Sequence, residues 1–231
     1  FLFILIFFVV FVFSNYSPAW FVNFYDKFLF IDLLNIKNSA TLLDKISIII
    51  STTLFIGILG TVPGHELTHR KKDKFDMFIG NWMLAFSWDC AFAIEHVYGH
   101  HKNIGLPKDP ATAKRGESLY SFIMRAIYKE QIVAWKIEMA RLKRRNHYFL
   151  SFDNKMIIGY FRSIIITVLA YYIGGIMGMF TFLLCAILAK SLLETINYSE
   201  HYGLVRLKGE PVCTRHSWNS NHAMSGVMLC N

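Results

Sequence analysis

Four apolar runs, separated by polar and basic segments, dominate the pattern of hydrophobic and polar positions along the chain. Three of them are about long enough, at roughly 1.5 Å per residue, to cross the roughly 30 Å core of a bilayer: residues 41–62, 156–173 and 176–196. Residues 1–13 would rise only about 20 Å as a helix, so we interpret them as the last part of a span that begins upstream. Gly174 and Gly175 predict a tight turn between two antiparallel spans.

These runs predict helices, because lipid leaves the backbone few other ways to satisfy its own hydrogen bonds. The expected fold class is therefore all-α, a polytopic membrane bundle of helices. The composition agrees, since hydrophobic residues make up 54% of the chain and charged residues 17%, against about 25% charged in soluble domains. The four cysteines show no C-x-x-C pairing, and we expect all of them to be reduced.

The net charge of +8 is concentrated in segments that flank the apolar runs. Basic residues beside spans mark the cytoplasmic face, whereas a nucleic-acid-binding protein lines one soluble face with them, so we predict no nucleic-acid partner. The basic run 70–74 and the basic loop 102–145 are both expected in the cytoplasm. Residues 77–94, although apolar, then cannot cross between them. We predict that this segment lies along the interface or dips in and returns, with Gly80 as the candidate bend.

Nine histidines are unexpected in so apolar a chain, because an imidazole in hydrocarbon is costly unless it is paired or bound to metal. His65, Glu66 and His69 form the pattern H-E-x-x-H, which on a helix places both imidazoles on one face, close enough to hold one metal ion. Taken alone, this pattern also fits a zinc peptidase in which Glu66 is the general base.

The second motif is E-H-V-Y-G-H-H, residues 95–101. His96 and His100 repeat the i, i+4 spacing, and His101 adds an imidazole turned about 100° away on a helix. A catalytic zinc takes three protein ligands, whereas the two motifs together supply more imidazole than that. The sequence therefore favours two metal ions held mostly by nitrogen, and imidazole readily binds iron.

The third motif is a polar stripe at the end of the last apolar run. Glu194, Asn197, Tyr198 and His201 fall at i, i+3, i+4 and i+7 of a predicted helix, which places them on one face. Lys190 extends the stripe by one turn and is predicted to pair with Glu194. Snorkelling charges and an interfacial aromatic belt are the alternative explanation. Asn, Glu and His together on one face of an apolar helix favour a site.

These three motifs, in this order, resemble the histidine boxes of membrane alkane hydroxylases (alkane 1-monooxygenases), members of the fatty-acid desaturase and hydroxylase superfamily. The resemblance runs from about residue 41 to the end, and residues 216–222 resemble the stretch that precedes the final box of that family. Desaturases usually carry H-x-x-H-H as their second box, where this chain has H-x-x-x-H-H. The family's closing H-x-x-H-H does not follow. We therefore interpret residues 1–231 as one domain truncated at both ends and expect this fragment to be inactive.

The resemblance implies a non-haem di-iron centre at the cytoplasmic helix ends. Of the nine histidine ligands that it implies, six map onto this chain: His65, His69, His96, His100, His101 and His201. Further residues are expected to hold these ligands by hydrogen bonds, with the glutamates favoured to bind imidazole N–H groups and not iron: Glu66, Glu95, Asn197, Glu200, Trp218 and Asn219. Asp89 is a further candidate of this kind or an interfacial acid. His147 is expected to be solvated, and His216 and His222 to be structural.

The implied activity is O2-dependent terminal hydroxylation of medium- or long-chain n-alkanes to primary alcohols, with the alkane arriving from the bilayer. The electrons must come from outside, because the chain has no flavin or nicotinamide fingerprint, and the resemblance implies rubredoxin and its reductase as the source. The basic loop 102–145 is a candidate docking surface for this acidic donor, although positive-inside topology explains it equally well. The implied location is a bacterial inner membrane, with the site facing the cytoplasm.

Three other functions compete with this one. A desaturase, a sterol-type hydroxylase or a xylene-monooxygenase-like enzyme would use similar chemistry on another substrate. An intramembrane zinc peptidase is disfavoured by the number of histidines in the second motif. A haem-binding helical protein would need paired histidines within opposing spans, whereas these histidines cluster at span ends. The sequence does not indicate the preferred chain length of the alkane.

Overall fold

The computed structural model describes residues 1–15 and 17–218, and every regular element among them is helical. The predicted all-α class is therefore confirmed. In chain order the α-helices are α1 (Leu2–Val12), α2 (Ala19–Leu29), α3 (Leu33–Ser39), α4 (Leu42–Phe55), α5 (Val62–His69), α6 (Lys74–Ala85), α7 (Phe92–Glu95), α8 (His101–Asn103), α9 (Leu119–Arg144) and α10 (Lys155–His201). Two π-helical turns, Ile56–Thr61 and His96–His100, and a short 3₁₀-helix, Thr214–His216, complete the described elements.

The first long helical stretch joins α4, the π-turn Ile56–Thr61 and α5 into one rod, Leu42–His69, which is long and apolar enough to cross a membrane. It begins at Thr41, which forms a capping box with Asp44. The apolar run was expected to end before Pro63, but the helix continues past it. A proline ring clashes with the carbonyl of the preceding turn of a regular α-helix, and the wider π-turn just before Pro63 relieves that conflict. The rod therefore carries the first histidine motif at its end.

The second long stretch, α10, is a hairpin of two antiparallel helices that reverses at Gly175, where φ is 61° and ψ is −159°. Ser163 Oγ in its first half donates to the carbonyl of Ala85, and Lys190 Nζ in its second half donates to Asp89. In a straight helix these two side chains would lie about 40 Å apart, at 1.5 Å per residue. They reach the same short segment because the chain turns back, as the glycine pair predicts.

Residues 77–94 return and do not form a straight span. Helix α6 is about 18 Å long, too short to cross a bilayer core, and the chain then reverses through residues 86–91 into α7. The predicted bend at Gly80 is wrong, because Gly80 lies within α6 and the reversal includes Trp88 at a φ of 54°. Gly80 serves close packing instead: a Cβ there would lie 2.9 Å from the Cβ of Leu67 in α5. This contact sets α6 directly against the helix of the first histidine motif.

The main hydrophobic core lies where α1 crosses the α10 hairpin. Val10 and Phe11 of α1 are fully buried against Ala170 and Phe182 of α10. A Cβ at Gly174 would lie 2.6 Å from the carbonyl oxygen of Val10, so the glycine turn also allows the backbones of α1 and α10 to touch. Cys90, Cys185 and Cys213 are free thiols, as expected, and Cys230 lies outside the described residues. The core thus stabilises the α10 hairpin, and His201 is the last residue of its second helix.

Candidate metal centre

Four imidazoles converge between the first two histidine motifs. His65 and His69 project from α5, and His96 and His101 from the segment that follows the reversal at residues 86–91. One ring nitrogen from each lies within 4.8 Å of the corresponding atom of the other three. Because metal–nitrogen bonds are about 2.0–2.1 Å long, nitrogens on one ion lie within about 4.2 Å of one another, and the four atoms here are close to that spacing.

The π-turn His96–His100 decides which histidines of the second motif act together. His96 and His101 stand five residues apart, and the π-turn brings their Nε2 atoms within 3.0 Å of each other. The ring of His100 stacks beside that of His96, at 5.2 Å between centroids, and lies 4.8 Å from that of His201. The expectation that His101 is turned away from His96 is therefore wrong, since it assumed α-helical spacing, whereas the expected nearness of His96 and His100 is confirmed. Turns of this type occur frequently at functional sites.

His100 and His201 form a second, adjoining group, and each is oriented through its Nδ1 atom. His100 Nδ1 lies 3.0 Å from Oδ2 of Asp109, and His201 Nδ1 donates to the carbonyl of His216 at 3.2 Å. Both imidazoles are buried. With Nδ1 occupied in this way, the Nε2 atom of each ring is left as the one that can bind a metal. The six histidines that the sequence singles out thus form one cluster of four and two.

Asp109 is a residue that the sequence analysis missed. It is buried in the loop between α8 and α9, where its carboxylate also accepts hydrogen bonds from the Thr112 hydroxyl and, at 3.4 Å, the Ala111 backbone N–H. Burial acts to raise the pKa of Asp109, but the His100 imidazole and the Thr112 hydroxyl hold that pKa below its usual value. The carboxylate is therefore ionised and able to fix the tautomer of His100.

Replacing Asp109 by Asn should lower the affinity of the centre for metal by about 10- to 100-fold, the usual cost of losing such an outer partner. The amide keeps the shape of the side chain but removes the charge that holds His100 Nδ1–H. Asp153→Asn is the matched control, because Asp153 pairs with the surface His147 away from the cluster. Metal retention during dialysis against a graded chelator measures both variants. Equal retention by the two would show that Asp109 has no part in the centre.

Arg206, which the sequence analysis also missed, fastens the second and third motifs together. Its buried guanidinium donates to the carbonyls of Ile104 and Lys102, both at 2.7 Å. The backbone N–H of Arg206 donates to Gly105, and that of Gly203 donates to Ala113. The chain after His201 is thereby bonded along the loop after His101. These hydrogen bonds keep His201 next to His100.

The glutamates expected beside the ligands differ in their surroundings. Glu95 is buried, and its Oε1 has no hydrogen-bond partner in the described part of the chain. Burial raises the pKa of Glu95 to about 7. Such an orphaned carboxylate oxygen fits a site that gains a cation or an imidazole N–H. Glu66 is half exposed and lies against Arg70 at 3.7 Å, and Glu200 Oε2 lies 3.8 Å from Nε2 of His201.

The remaining predicted residues hold the backbone around the cluster. Trp218 donates its indole N–H to the carbonyl of Tyr202 and its backbone N–H to that of Glu200, which ties the 3₁₀-helix to the end of α10. His216 Nδ1 accepts from the backbone N–H of Cys213, a structural contact. Asn219 and His222 lie outside the described residues.

A buried charge network lies immediately behind the imidazole cluster. Lys190 Nζ contacts Asp89 and Glu130 at 2.8 Å and Glu194 at 2.6 Å, so the predicted Lys190–Glu194 pair is confirmed. Asn197 donates to Glu194, which assigns it to this network and not to an imidazole. Phe92 separates the network from the cluster. Its ring stacks on His96 at 4.3 Å, and Lys190 Nζ lies 5.8 Å from its centroid.

Comparison with known proteins identifies one family and several relatives. The family described as fatty acid desaturase matches residues 44–231. Alkane 1-monooxygenase 1 of Pseudomonas aeruginosa is 35% identical over 192 residues, which cover 81% of this chain and 50% of the relative. Alkane 1-monooxygenase of Ectopseudomonas oleovorans is 39% identical over 177 residues, which cover 72% of this chain and 42% of the relative.

A relative with a different substrate name is also similar. The xylene/toluene monooxygenase hydroxylase component XylM of Pseudomonas putida is 31% identical over 172 residues, which cover 74% of this chain and 46% of the relative. The chain spans about half the length of the curated relatives it matches.

Proposed function

Because this chain belongs to the fatty acid desaturase family, we propose that it is part of a membrane monooxygenase that hydroxylates the terminal carbon of n-alkanes. The observation that carries the proposal is the convergence of six imidazoles, three of them buried, in one cluster at the ends of three helical elements. The names of the alkane 1-monooxygenase relatives supply the substrate class and the reaction. The preferred chain length is left open.

The donor set fits two iron ions. His65, His69, His96 and His101 would hold one, and His100 and His201 would contribute to the second. When bound, the iron pair supplies the activation of O2 and the oxidation of the alkane. Nitrogen-rich ligation suits iron, and the unpartnered Glu95 oxygen leaves a place for positive charge beside the imidazoles. Metal analysis of the whole monooxygenase tests this directly, since two irons per protein support the centre and one zinc would indicate the peptidase.

The surrounding residues prepare the imidazoles for that role. Asp109 keeps the Nδ1 proton on His100, and the His216 carbonyl does the same for His201, so both rings present Nε2. Phe92 covers one face of His96 and excludes water from that side. Electrons would arrive from reduced rubredoxin and its reductase, with the basic segment 102–145 as docking surface; this segment was expected to be a loop, but most of it forms helix α9.

Product analysis tests the activity. Membranes containing the whole monooxygenase of which this chain is part, supplied with reduced rubredoxin, ¹⁸O2 and n-octane, should yield 1-octanol carrying one labelled oxygen atom. The variant His65→Ala in the same membranes controls for background oxidation. A second candidate substrate is an aryl methyl group, which the xylene/toluene relative favours. Turnover of p-xylene but not of n-octane would support that alternative. A desaturated acyl product would contradict hydroxylation.

The proposed location is a bacterial inner membrane with every histidine motif on the cytoplasmic side. The four apolar runs would cross outward, inward, outward and inward, and residues 77–94 would return to the face they left. Lys74→Cys and Lys102→Cys should therefore both resist a membrane-impermeant thiol reagent applied to intact cells, and both should react after lysis. Strong labelling of one position in intact cells, but not of the other, would place a crossing between them and overturn this topology.

A further inference from the structure

A basic cleft outside the metal centre has no assigned ligand. It lies between the loop after α5, helix α6 and the first two turns of α10, and encloses about 300 Å³. Four cationic side chains line it, from Lys71, Lys74, Lys155 and Arg162, and the lining contains no aspartate or glutamate. Such a set of like charges repels itself unless an anion is bound among them.

Arg162 is the informative member of this set. It lies seven residues into α10 from Lys155, about 10 Å along the axis, where the helix is already apolar. Its guanidinium is half-buried and makes no hydrogen bond or ion pair with any residue that the structure describes. The two buried cations of the described chain, Lys190 and Arg206, are in contrast fully bonded. A charge held at the edge of hydrocarbon without a partner is costly, so an external anion beside Arg162 would be stabilising.

Besides the cations, the cleft is lined mostly by apolar side chains, with a few uncharged polar ones. Phe78 and Ile158 line it below the cations, and the Phe78 side chain is 52% exposed. Phe161, beside Arg162 in sequence, is 61% exposed. Basic groups above exposed apolar groups, between helices at one end of a bundle, match a molecule with an anionic head and an acyl chain.

We propose that this cleft binds an anionic phospholipid of the surrounding bilayer, with its phosphate between Lys155 and Arg162 and an acyl chain along Phe78 and Ile158. Lys71 and Lys74 add long-range attraction at the mouth of the cleft, where Lys71 is held over the ring of Tyr98 at 4.3 Å. The depth of Arg162 favours a lipid over an acidic protein. A rigid protein surface reaches the exposed lysines but not a guanidinium recessed between α6 and α10.

Native mass spectrometry of the protein, purified from membranes and exposed to dioleoylphosphatidylglycerol or dioleoylphosphatidylcholine, tests the proposal. The unmodified protein should retain phosphatidylglycerol preferentially. Arg162→Gln should lower that retention by about tenfold, the usual weight of a charge-assisted hydrogen bond to phosphate. Lys136→Gln removes the same charge from an exposed position on α9 and should change nothing. Because Arg162 bonds to no described residue, Arg162→Gln should keep its helix content and metal content.

Several results would overturn the proposal. Equal retention of phosphatidylglycerol by Arg162→Gln and Lys136→Gln would do so, as would equal retention of the two lipids by the unmodified protein. Displacement of the lipid by millimolar inorganic phosphate would identify a site for free phosphate. Weaker binding of an acidic electron-donor protein to Arg162→Gln, with lipid retention unchanged, would identify a protein-docking site. None of these readouts depends on hydroxylation, so failure here leaves the proposed function standing.

Discussion

Replacing His96 by Ala in the whole monooxygenase of which this chain is part is expected to remove bound iron and to abolish alkane hydroxylation. His96 is the central imidazole of the cluster, with its ring 4.4 Å from His65, 5.4 Å from His69 and 5.2 Å from His100. Loss of a residue that hydrogen-bonds to a metal ligand typically lowers metal affinity or activity by about 10- to 100-fold. Loss of His96, which would itself bind the metal, should lower activity by more than about a hundredfold. Iron measured by mass spectrometry and alcohol measured by gas chromatography give the two readouts.

His147→Ala is the control for His96→Ala, because His147 lies on the surface and pairs with Asp153. It should keep both iron and activity. Each of the other five proposed ligands should behave as His96 does, although less severely where a neighbour can take over. Full iron and full activity in His96→Ala would contradict the assignment of the whole cluster.

Replacing Lys190 by Met is expected to lower the free energy of unfolding by about 3–5 kcal/mol, the cost of removing one partner of a buried ion pair. Lys190 is 5% exposed and is the cation shared by Asp89, Glu130 and Glu194. Burial raises the pKa of Asp89 and of Glu130, and without the ammonium group these carboxylates must take up protons or remain unpaired. Thermal unfolding of the purified protein in detergent measures the loss.

Lys129→Met tests whether the effect comes from the network. Lys129 precedes Glu130 on α9 but is exposed, and its replacement should change stability by less than about 0.5 kcal/mol. The double variant Lys190→Met with Asp89→Asn should recover part of the loss, since a neutral side chain replaces one unpaired carboxylate. Strictly additive effects of the two substitutions would show that Lys190 and Asp89 do not interact in the folded protein.

The helices and the first histidine motif follow from the sequence because run length and i, i+4 spacing are local properties. Asp109, Glu130 and Arg206 do not, since each acts on a partner in another element, and Glu130 lies 60 residues from Lys190. No local pattern separates these three from ordinary surface charges. The reversal after α6 was expected from charge, but its position at residues 86–91 depends on packing between α5 and α6, which favours Gly80 inside a straight helix.

The π-turn His96–His100 also explains how two different motif spacings can serve one geometry. In H-x-x-H-H the first and last histidines stand at i and i+4, which aligns them on an ordinary α-helix. The corresponding pair here, His96 and His101, has one additional residue between them, which on an α-helix would rotate the second imidazole by about 100°. The wider turn absorbs that insertion and restores the alignment, with the two Nε2 atoms 3.0 Å apart. Deleting Val97 should therefore convert the turn to α-helix without moving His101 away from His96, so either spacing would place these two imidazoles together.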